Sequence, residues 1–306
     1  MGVTFKLCSE VLMKYYGRPE DLDALYITMC VLNGLLSLTS IVGNVVIYLA
    51  LKKALLIPSS TRILLQCLAL TDLTNGFVGH PLYIAVILGV RQNYACEEIH
   101  EVLLVFFMLE ASLTAASFTT VTFIGLDRFL AINLHLRYNE LVTPKRAVVA
   151  VAGAWSVSLT TTFICVFCYF QVGEIVLLVF GYGCTLVLSV VYLKLFSVAR
   201  HHAASINSQA QVAMHLSNST NMARHKNLAI KTFYVFVVFL LCYCPYLAAL
   251  TVLLASGPNV ATQGAVQLTT VLVMLNSSLN PVVFGWKMKE IRQIVKSDFR
   301  KFVLRR

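Results

Sequence analysis

The chain predicts an all-α membrane protein, a seven-transmembrane helix bundle followed by an amphipathic C-terminal interfacial helix. Three observations lead there. Hydrophobic residues fill 58% of the 306 positions and charged residues only 12%, about half the charged share of a soluble domain. Apolar stretches long enough to cross about 30 Å of hydrocarbon, which takes roughly 20 helical residues, recur seven times. All but Lys6, Lys14, Arg18 and Arg91 of the 24 Lys and Arg residues fall on one side of those stretches, which needs an odd number of crossings.

The elements follow in order. Residues 1–23 are expected to be an extracellular N-terminus. They lack the apolar core of a signal peptide, so the first span is expected to act as its own insertion signal. The spans are placed at 24–51, 62–90, 97–126, 146–169, 172–196, 228–256 and 261–286, forming one domain over 24–286. Span one carries Gly43-Asn44. Span two carries a lone carboxylate, Asp72, deep in Leu68-Ala-Leu-Thr-Asp-Leu73. Span three holds Ser117 and ends in Asp127-Arg128-Phe129. A carboxylate beside a guanidinium at a membrane boundary is costly and normally marks function. Span four holds Trp155. Spans four and five run together, and Tyr169-Phe-Gln-Val-Gly173-Glu174 supplies the polarity and the Gly for a tight turn. Tyr192 lies near the inner end of span five. Span six holds Cys242-Tyr243-Cys-Pro245, and span seven holds Asn276-Ser-Ser-Leu-Asn280-Pro281-Val-Val-Phe284. Pro245 and Pro281 each remove a helical hydrogen bond and kink their span. The longest connection, 200–224, is polar, rich in His, Ser and Asn, and expected to be flexible. In 287–306, Met288, Ile291, Val295, Phe299 and Phe302 recur at helical spacing between Lys and Arg. That pattern suits a helix lying on the inner leaflet; the alternative is a disordered basic tail.

Under the positive-inside rule the basic side is cytoplasmic, which places the N-terminus outside a multi-pass protein of the plasma membrane. The net charge of +10 sits at span ends, so anionic membrane lipid, not nucleic acid, is the expected partner. No nucleophile–base pair or metal-type ligand set is visible, and no enzymatic activity is expected. Among nine cysteines, Cys30, Cys67, Cys165, Cys184, Cys242 and Cys244 lie within spans as small apolar side chains. Cys8, Cys96 and Cys168 fall near the outer surface, where disulfides persist.

One marker per span, each in register from about residue 25 to 300, resembles the rhodopsin-like (class A) G-protein-coupled receptors. The markers are Gly43-Asn44, Leu68-Ala-Leu-Thr-Asp72, Asp127-Arg128-Phe129 against the usual Asp-Arg-Tyr, Trp155, Tyr192, Cys242-Tyr-Cys-Pro245 against Cys-Trp-x-Pro, and Asn280-Pro281-Val-Val-Phe284 against Asn-Pro-x-x-Tyr. Phrases such as Cys67-Leu-Ala-Leu-Thr-Asp-Leu also resemble the receptor expansions of cnidarians. The resemblance implies an extracellular ligand bound in the outer bundle and a heterotrimeric G protein engaged inside. A transporter or channel, or a non-signalling decoy of the same fold, remains the alternative; transport would predict internal repeats.

The resemblance also assigns roles. Asp127, Arg128, Phe129, Tyr192, Tyr243, Pro245, Pro281 and Phe284 become the coupling and switch residues. Asn44, Asp72, Ser117, Asn276 and Asn280 become a polar network that holds an allosteric sodium ion on Asp72, and no other cofactor is implied. Small polar groups in apolar helices must converge inside the bundle, and oxygen ligands around a carboxylate suit a hard cation. A purely structural hydrogen-bond network is the other reading. Many relatives lock the Arg with an acid on span six; here Arg224-His225-Lys226 occupies that place, implying a weaker resting latch. The family's outer cysteine falls at Leu103, and the usual span-five Pro at Cys184. Glu110, five helical turns outward from Arg128, matches the acid that pairs with ligand ammonium in aminergic relatives, and Phe180, Tyr246, Thr270 and Met274 would share its pocket. Glu110 wants a cation if ionised; a protonated or internally hydrogen-bonded Glu is the other reading.

Overall fold

The computed structural model describes the backbone of residues 2–17, 19–134, 137–168, 170–209 and 216–304. Within these it describes all side chains except those of 2–7, 19, 139, 165–168, 170–173, 198–209, 216–226, 302 and 304. The described residues are helical without strands, and seven helices are long and apolar enough to cross a membrane. The seven-helix bundle read from the sequence is therefore the fold.

Helix α1 covers Gly2–Tyr15 and α2 covers Pro19–Lys53. Span two is built of α3 (Ser59–Thr74), a π-helical turn (Asn75–Gly79) and α4 (His80–Arg91). Span three is α5 (Cys96–Asn133), and a one-turn helix, α6 (Tyr138–Leu141), follows it. Spans four to seven are α7 (Pro144–Cys168), α8 (Phe170–Gln209), α9 (Leu216–Ser256) and α10 (Val260–Lys287), and α11 (Lys289–Leu304) closes the chain. Helix α5 is the hub, packing on α3, α7, α8 and α9, while α10 bridges α9 and α2.

Local chemistry explains the boundaries. Glu98 accepts from the Ala95 backbone N–H at 3.0 Å and so satisfies a free donor where α5 begins. Asn259 and Thr262 cap α10 reciprocally at 3.0 and 2.9 Å. Pro81 has no N–H and crowds the carbonyl four residues back, and the preceding turn widens to the π form at Asn75–Gly79. Nothing in the hydrophobic pattern of span two announced that turn.

Two buried clusters fill the bundle. The inner one includes Leu51, Leu65, Phe118, Ile124, Tyr192, Phe239 and Phe284. The outer one includes Cys8, Tyr15, Tyr26, Tyr83, Phe106 and Met274. Outward-facing Leu38, Val42, Val157, Val179, Leu186, Leu193 and Leu241 stay more than half exposed, as side chains facing lipid do.

One expectation changes, and the two termini gain contacts that the sequence did not announce. The 200–224 connection is not a loop over its whole length, since α8 runs on to Gln209 and α9 begins at Leu216, with 210–215 outside the described residues. Ala203-Ala204 and few β-branched residues let both helices extend past the bilayer. Residues 1–23 are not merely a segment preceding the bundle: α1 packs on α5 and α10. At the other terminus α11 is helical, with Ile291 fully buried, whereas Phe299 is exposed. Lys53 reaches Asp298 at 2.7 Å, and Glu290 accepts from the Leu56 backbone N–H at 2.8 Å, so α11 is tied to the inner end of α2.

Candidate functional site

A cavity of about 1330 Å³, its open mouth included, lies in the outer half of the bundle. Of the residues expected there, Glu110, Phe180, Tyr246 and Thr270 line it. Met274 does not: it is fully buried in the outer cluster. Val273, one residue and about 100° earlier around the helix, takes the wall position. Glu110 Oε1 is buried without a hydrogen-bond partner among the described residues. The carboxylate rests against the π-helical turn of span two, where a Cβ at Gly79 would come within 2.6 Å of Oε1. Only glycine leaves that space open. The floor is Tyr243, which stacks on Phe239 at 4.2 Å and 24° and tilts against Phe118 at 4.8 Å. Its hydroxyl pairs with Thr114, which answers the need of a buried phenol for a partner.

Unexpectedly, α1 forms the roof. Tyr15 and Tyr16 line the cavity, as does Glu174 at the outer end of α8. The Tyr15 hydroxyl donates to Glu174 Oε1 at 2.6 Å, and Lys14 makes an ion pair with the same carboxylate. Burial, and after it the Glu174 charge, pushes the Tyr15 phenol above its usual range, so it stays a donor. From α10, Gln263 Nε2 donates to the Met13 carbonyl at 2.8 Å and Gln267 Nε2 to the Tyr15 carbonyl at 2.9 Å. Two glutamines four residues apart in the outer part of α10 were the sequence signal for this docking.

Midway through the bundle, Asn280 Nδ2 donates to Asp72 Oδ2 at 2.7 Å. Ser277 also hydrogen-bonds to Asp72. Asn44 Nδ2 donates to the Ser40 and Ser277 carbonyls, both at 2.9 Å, and Asn75 Nδ2 to Ser277 Oγ at 3.2 Å. The amide oxygens of Asn44, Asn75, Asn276 and Asn280 are buried without a partner among the described residues. Ser117 is buried on α5 but makes no described hydrogen bond to Asp72. Ser40, Asn75 and Ser277 are the members that motif reading missed. A Cβ at Gly43 would meet Pro281 Cγ at 2.8 Å, so this glycine lets α2 and α10 close around the cluster.

At the inner end, Arg128 is fully buried and Asp127 nearly so. Arg128 Nε donates to Asp127 Oδ2 at 3.0 Å, and the guanidinium also reaches Thr61 Oγ1. Asp127 accepts from Thr61 Oγ1 at 2.7 Å, from Ser60 Oγ at 3.1 Å and from the Tyr138 hydroxyl at 2.7 Å. Tyr138 stands 3.1 Å from Arg128 Nη2 as well. Burial pushes its phenol to about 12, so it is a donor at neutral pH. Ser60, Thr61 and Tyr138 were not singled out from sequence. Tyr192 stacks on Phe236 at 4.5 Å and 7°. Phe284 is buried in the inner cluster and Phe129 is packed against it, while Pro245 and Pro281 lie within α9 and α10. The side chains of Arg224, His225 and Lys226, which bear on the missing lock, lie outside the described residues.

The sequence of residues 43–284 matches the family described as 7 transmembrane receptor (rhodopsin family). Among characterised proteins the chain is similar to the histamine H2 receptor of Rattus norvegicus, 28% identical over 302 residues that cover 91% of this chain and 81% of that one. It is also similar to the histamine H2 receptor of Homo sapiens, 26% identical over 299 residues that cover 89% and 79%. That of Canis lupus familiaris is 26% identical over 299 residues, covering 90% and 80%.

Proposed function

The chain belongs to the rhodopsin family of seven-transmembrane receptors, and from that premise we propose that its ligand is a small amine whose ammonium group pairs with Glu110. As a member of that family it is a G-protein-coupled receptor of the plasma membrane that binds an extracellular ligand and activates a heterotrimeric G protein. The observation that carries the amine is Glu110 Oε1, buried in the cavity wall with no partner among the described residues. An ionised acid there is expensive unless a cation meets it. Tyr246, Tyr243 and Phe118 also line the cavity, and aromatic faces attract the same cation. The relatives named above are histamine receptors, and histamine carries an ammonium group.

The outer bundle is taken to face the extracellular side, with the N-terminus outside, because the ends of α2 and α10 nearest Arg128 carry Lys52, Lys53 and Lys287. Ligand contact at Glu110 and Tyr246 would press on Tyr243. Its stack with Phe239 and Phe118 lies one turn from Pro245, where α9 lacks a backbone hydrogen bond and bends at low cost. Movement of α9 would then open the cluster around Arg128 to a G protein. Arg128 keeps its charge whatever its partners, so it can trade Asp127 for carbonyl groups without a proton transfer.

We further propose that Asp72 holds a sodium ion in the resting state. Asn280 bonds to Asp72, and its partnerless amide oxygen, with that of Asn44 in the same hydrogen-bonded cluster, fits a hard, oxygen-loving cation. Asp72, Asn44 and Asn280 would ligate it, and its charge would offset that of the buried carboxylate.

The test is expression of the full chain in cells that lack amine receptors, with cAMP and calcium readouts. Histamine and a panel of primary and quaternary amines are the probes. Saturable responses that shift in Glu110→Gln support the assignment; responses unaltered in that variant, or confined to uncharged ligands, overturn it.

A further inference from the structure

Helix α1 sits over the cavity mouth, and the cysteines bear on how it is kept there. Cys8 is 3% exposed within the outer cluster, and Cys96 packs against that cluster. Cys8 Sγ lies 3.9 Å from the Cys96 carbonyl oxygen, across 88 residues of chain. The two thiols also meet side chain to side chain, through a hydrogen bond between Cys8 and Cys96. Among the described residues the other cysteines, Cys30, Cys67, Cys184, Cys242 and Cys244, all lie inside membrane spans. Cys8 and Cys96 alone of these lie at the outer face of the bundle, Cys8 midway along α1 and Cys96 at the first residue of α5.

We propose that Cys8 and Cys96 are joined by a disulfide that staples α1 across the mouth of the ligand cavity. The bond links the roof to the same helix that carries Glu110. It rests on the outward placement of the N-terminus proposed above, since only that side is oxidising. Two thiols lose two protons and two electrons as the S–S bond forms. The electrons pass to a protein disulfide of the secretory compartment, which leaves as a dithiol. Burial, and beside it the Cys96 thiol, pushes the Cys8 thiol to about 12. A docked Cys8 is therefore a poor nucleophile, and the exchange belongs to the stage before α1 settles onto the bundle. Once docked, the same burial shields the bond from reductants.

The staple has a purpose that the surrounding contacts define. Glu174, Gln263 and Gln267 orient α1, yet each holds it only through non-covalent hydrogen bonds or an ion pair, which part whenever α1 lifts. A covalent tether keeps the roof beside the cavity even when those contacts open, so Tyr15 and Tyr16 return after each ligand passage. With no cysteine at Leu103, Cys96 becomes the anchor that α5 offers, and the N-terminus becomes its partner.

The test uses the full receptor with an N-terminal epitope tag on intact cells. The tag carries no Lys or Arg, Lys6→Gln removes the site on its own side of Cys8, and trypsin then cuts after Lys14 or Arg18, between the two cysteines. With the disulfide, the tag stays on the receptor in a non-reducing gel and leaves when reductant is added. A non-reduced digest then yields the Cys8–Cys96 peptide pair by mass spectrometry. C8S and C96S each release the tag without reductant, and the double variant behaves as either single one. Labelling of both thiols by a membrane-impermeant maleimide without reduction overturns the disulfide and leaves the orientation standing. Labelling only after permeabilisation overturns the orientation and the disulfide together. A digest that joins either residue to Cys168 overturns the pairing.

Discussion

Removing one hydroxyl at Tyr138 should switch the receptor partly on. The Tyr138 hydroxyl donates to Asp127 Oδ1 at 2.7 Å, meets Ser60 Oγ at 2.8 Å and stands 3.1 Å from Arg128 Nη2. It therefore closes the ring of groups that holds the Asp127–Arg128 pair. Tyr138→Phe keeps the buried ring and deletes only those bonds. A hydrogen bond to a charged group contributes about 1.5–3 kcal/mol, and Ser60 and Thr61, which still donate to Asp127, recover part of it. Taking about 1.4 kcal/mol as the net loss, carried wholly by the resting state, the active fraction rises about tenfold. Constitutive cAMP and calcium signalling at matched surface expression measures this. Thr61→Val, which removes the neighbouring donor to Asp127 at 2.7 Å, should act in the same direction. The two changes together should raise activity by less than the product of the singles, because the groups share one carboxylate. Basal signalling that stays at the wild-type level in both variants would refute the latch as the element that holds the resting state.

Other outcomes follow from the same geometry. Arg128→Ala should abolish agonist-stimulated guanine-nucleotide exchange while leaving surface expression largely intact, and unchanged exchange would count against its coupling role. Glu110→Gln should lower amine potency roughly 30-fold or more, since losing one partner of a desolvated pair costs about 2–5 kcal/mol. Glu110→Asp should lower it less; the reverse order in dose–response curves would make Glu110 a neutral structural group. Asp72→Asn should erase the difference in amine binding between sodium and a large organic cation, and an undiminished difference would remove the ion from Asp72. Gly43→Val should weaken the fold, because its side chain meets Pro281 inside 3 Å; an undiminished melting temperature in detergent would sink that expectation.

Span positions and switch motifs were legible because lipid imposes them. A crossing helix needs a fixed length of apolar sequence, and a buried carboxylate or a mid-helix proline stands out against that background. The partners of those motifs were not legible. Ser60, Thr61 and Ser277 are common residues whose meaning depends on which face of a helix they occupy. Tyr138 lies ten residues beyond Arg128, at the first residue of α6, yet its hydroxyl meets the guanidinium. Met274 was placed on the cavity wall by register alone, and a rotation of one residue moved it into the core. The roof was hidden for a different reason. Residues 1–23 carry no membrane signal, and the pairing of Lys14 and Tyr15 with Glu174 spans most of the bundle, which no local pattern encodes.

The partnerless acceptors connect the two ends of the receptor. Glu110 Oε1 in the cavity and the amide oxygens of Asn44, Asn75, Asn276 and Asn280 beneath it all lack donors among the described residues. A buried acceptor left unmet costs about 1–3 kcal/mol, so several together call for a bound donor or cation, water included. Asn75 joins both levels, because its side chain bonds to Ser277 and its oxygen lies beside Gly79, against which Glu110 also rests. A cation at Asp72 and an ammonium at Glu110 would therefore approach the same short turn of span two from below and above. Their like charges repel, more strongly in this low-dielectric interior than in water. Each then weakens the other by the same factor, as linkage requires. On that account the π-helical turn is the element through which an amine in the outer cavity would expel the ion proposed at Asp72.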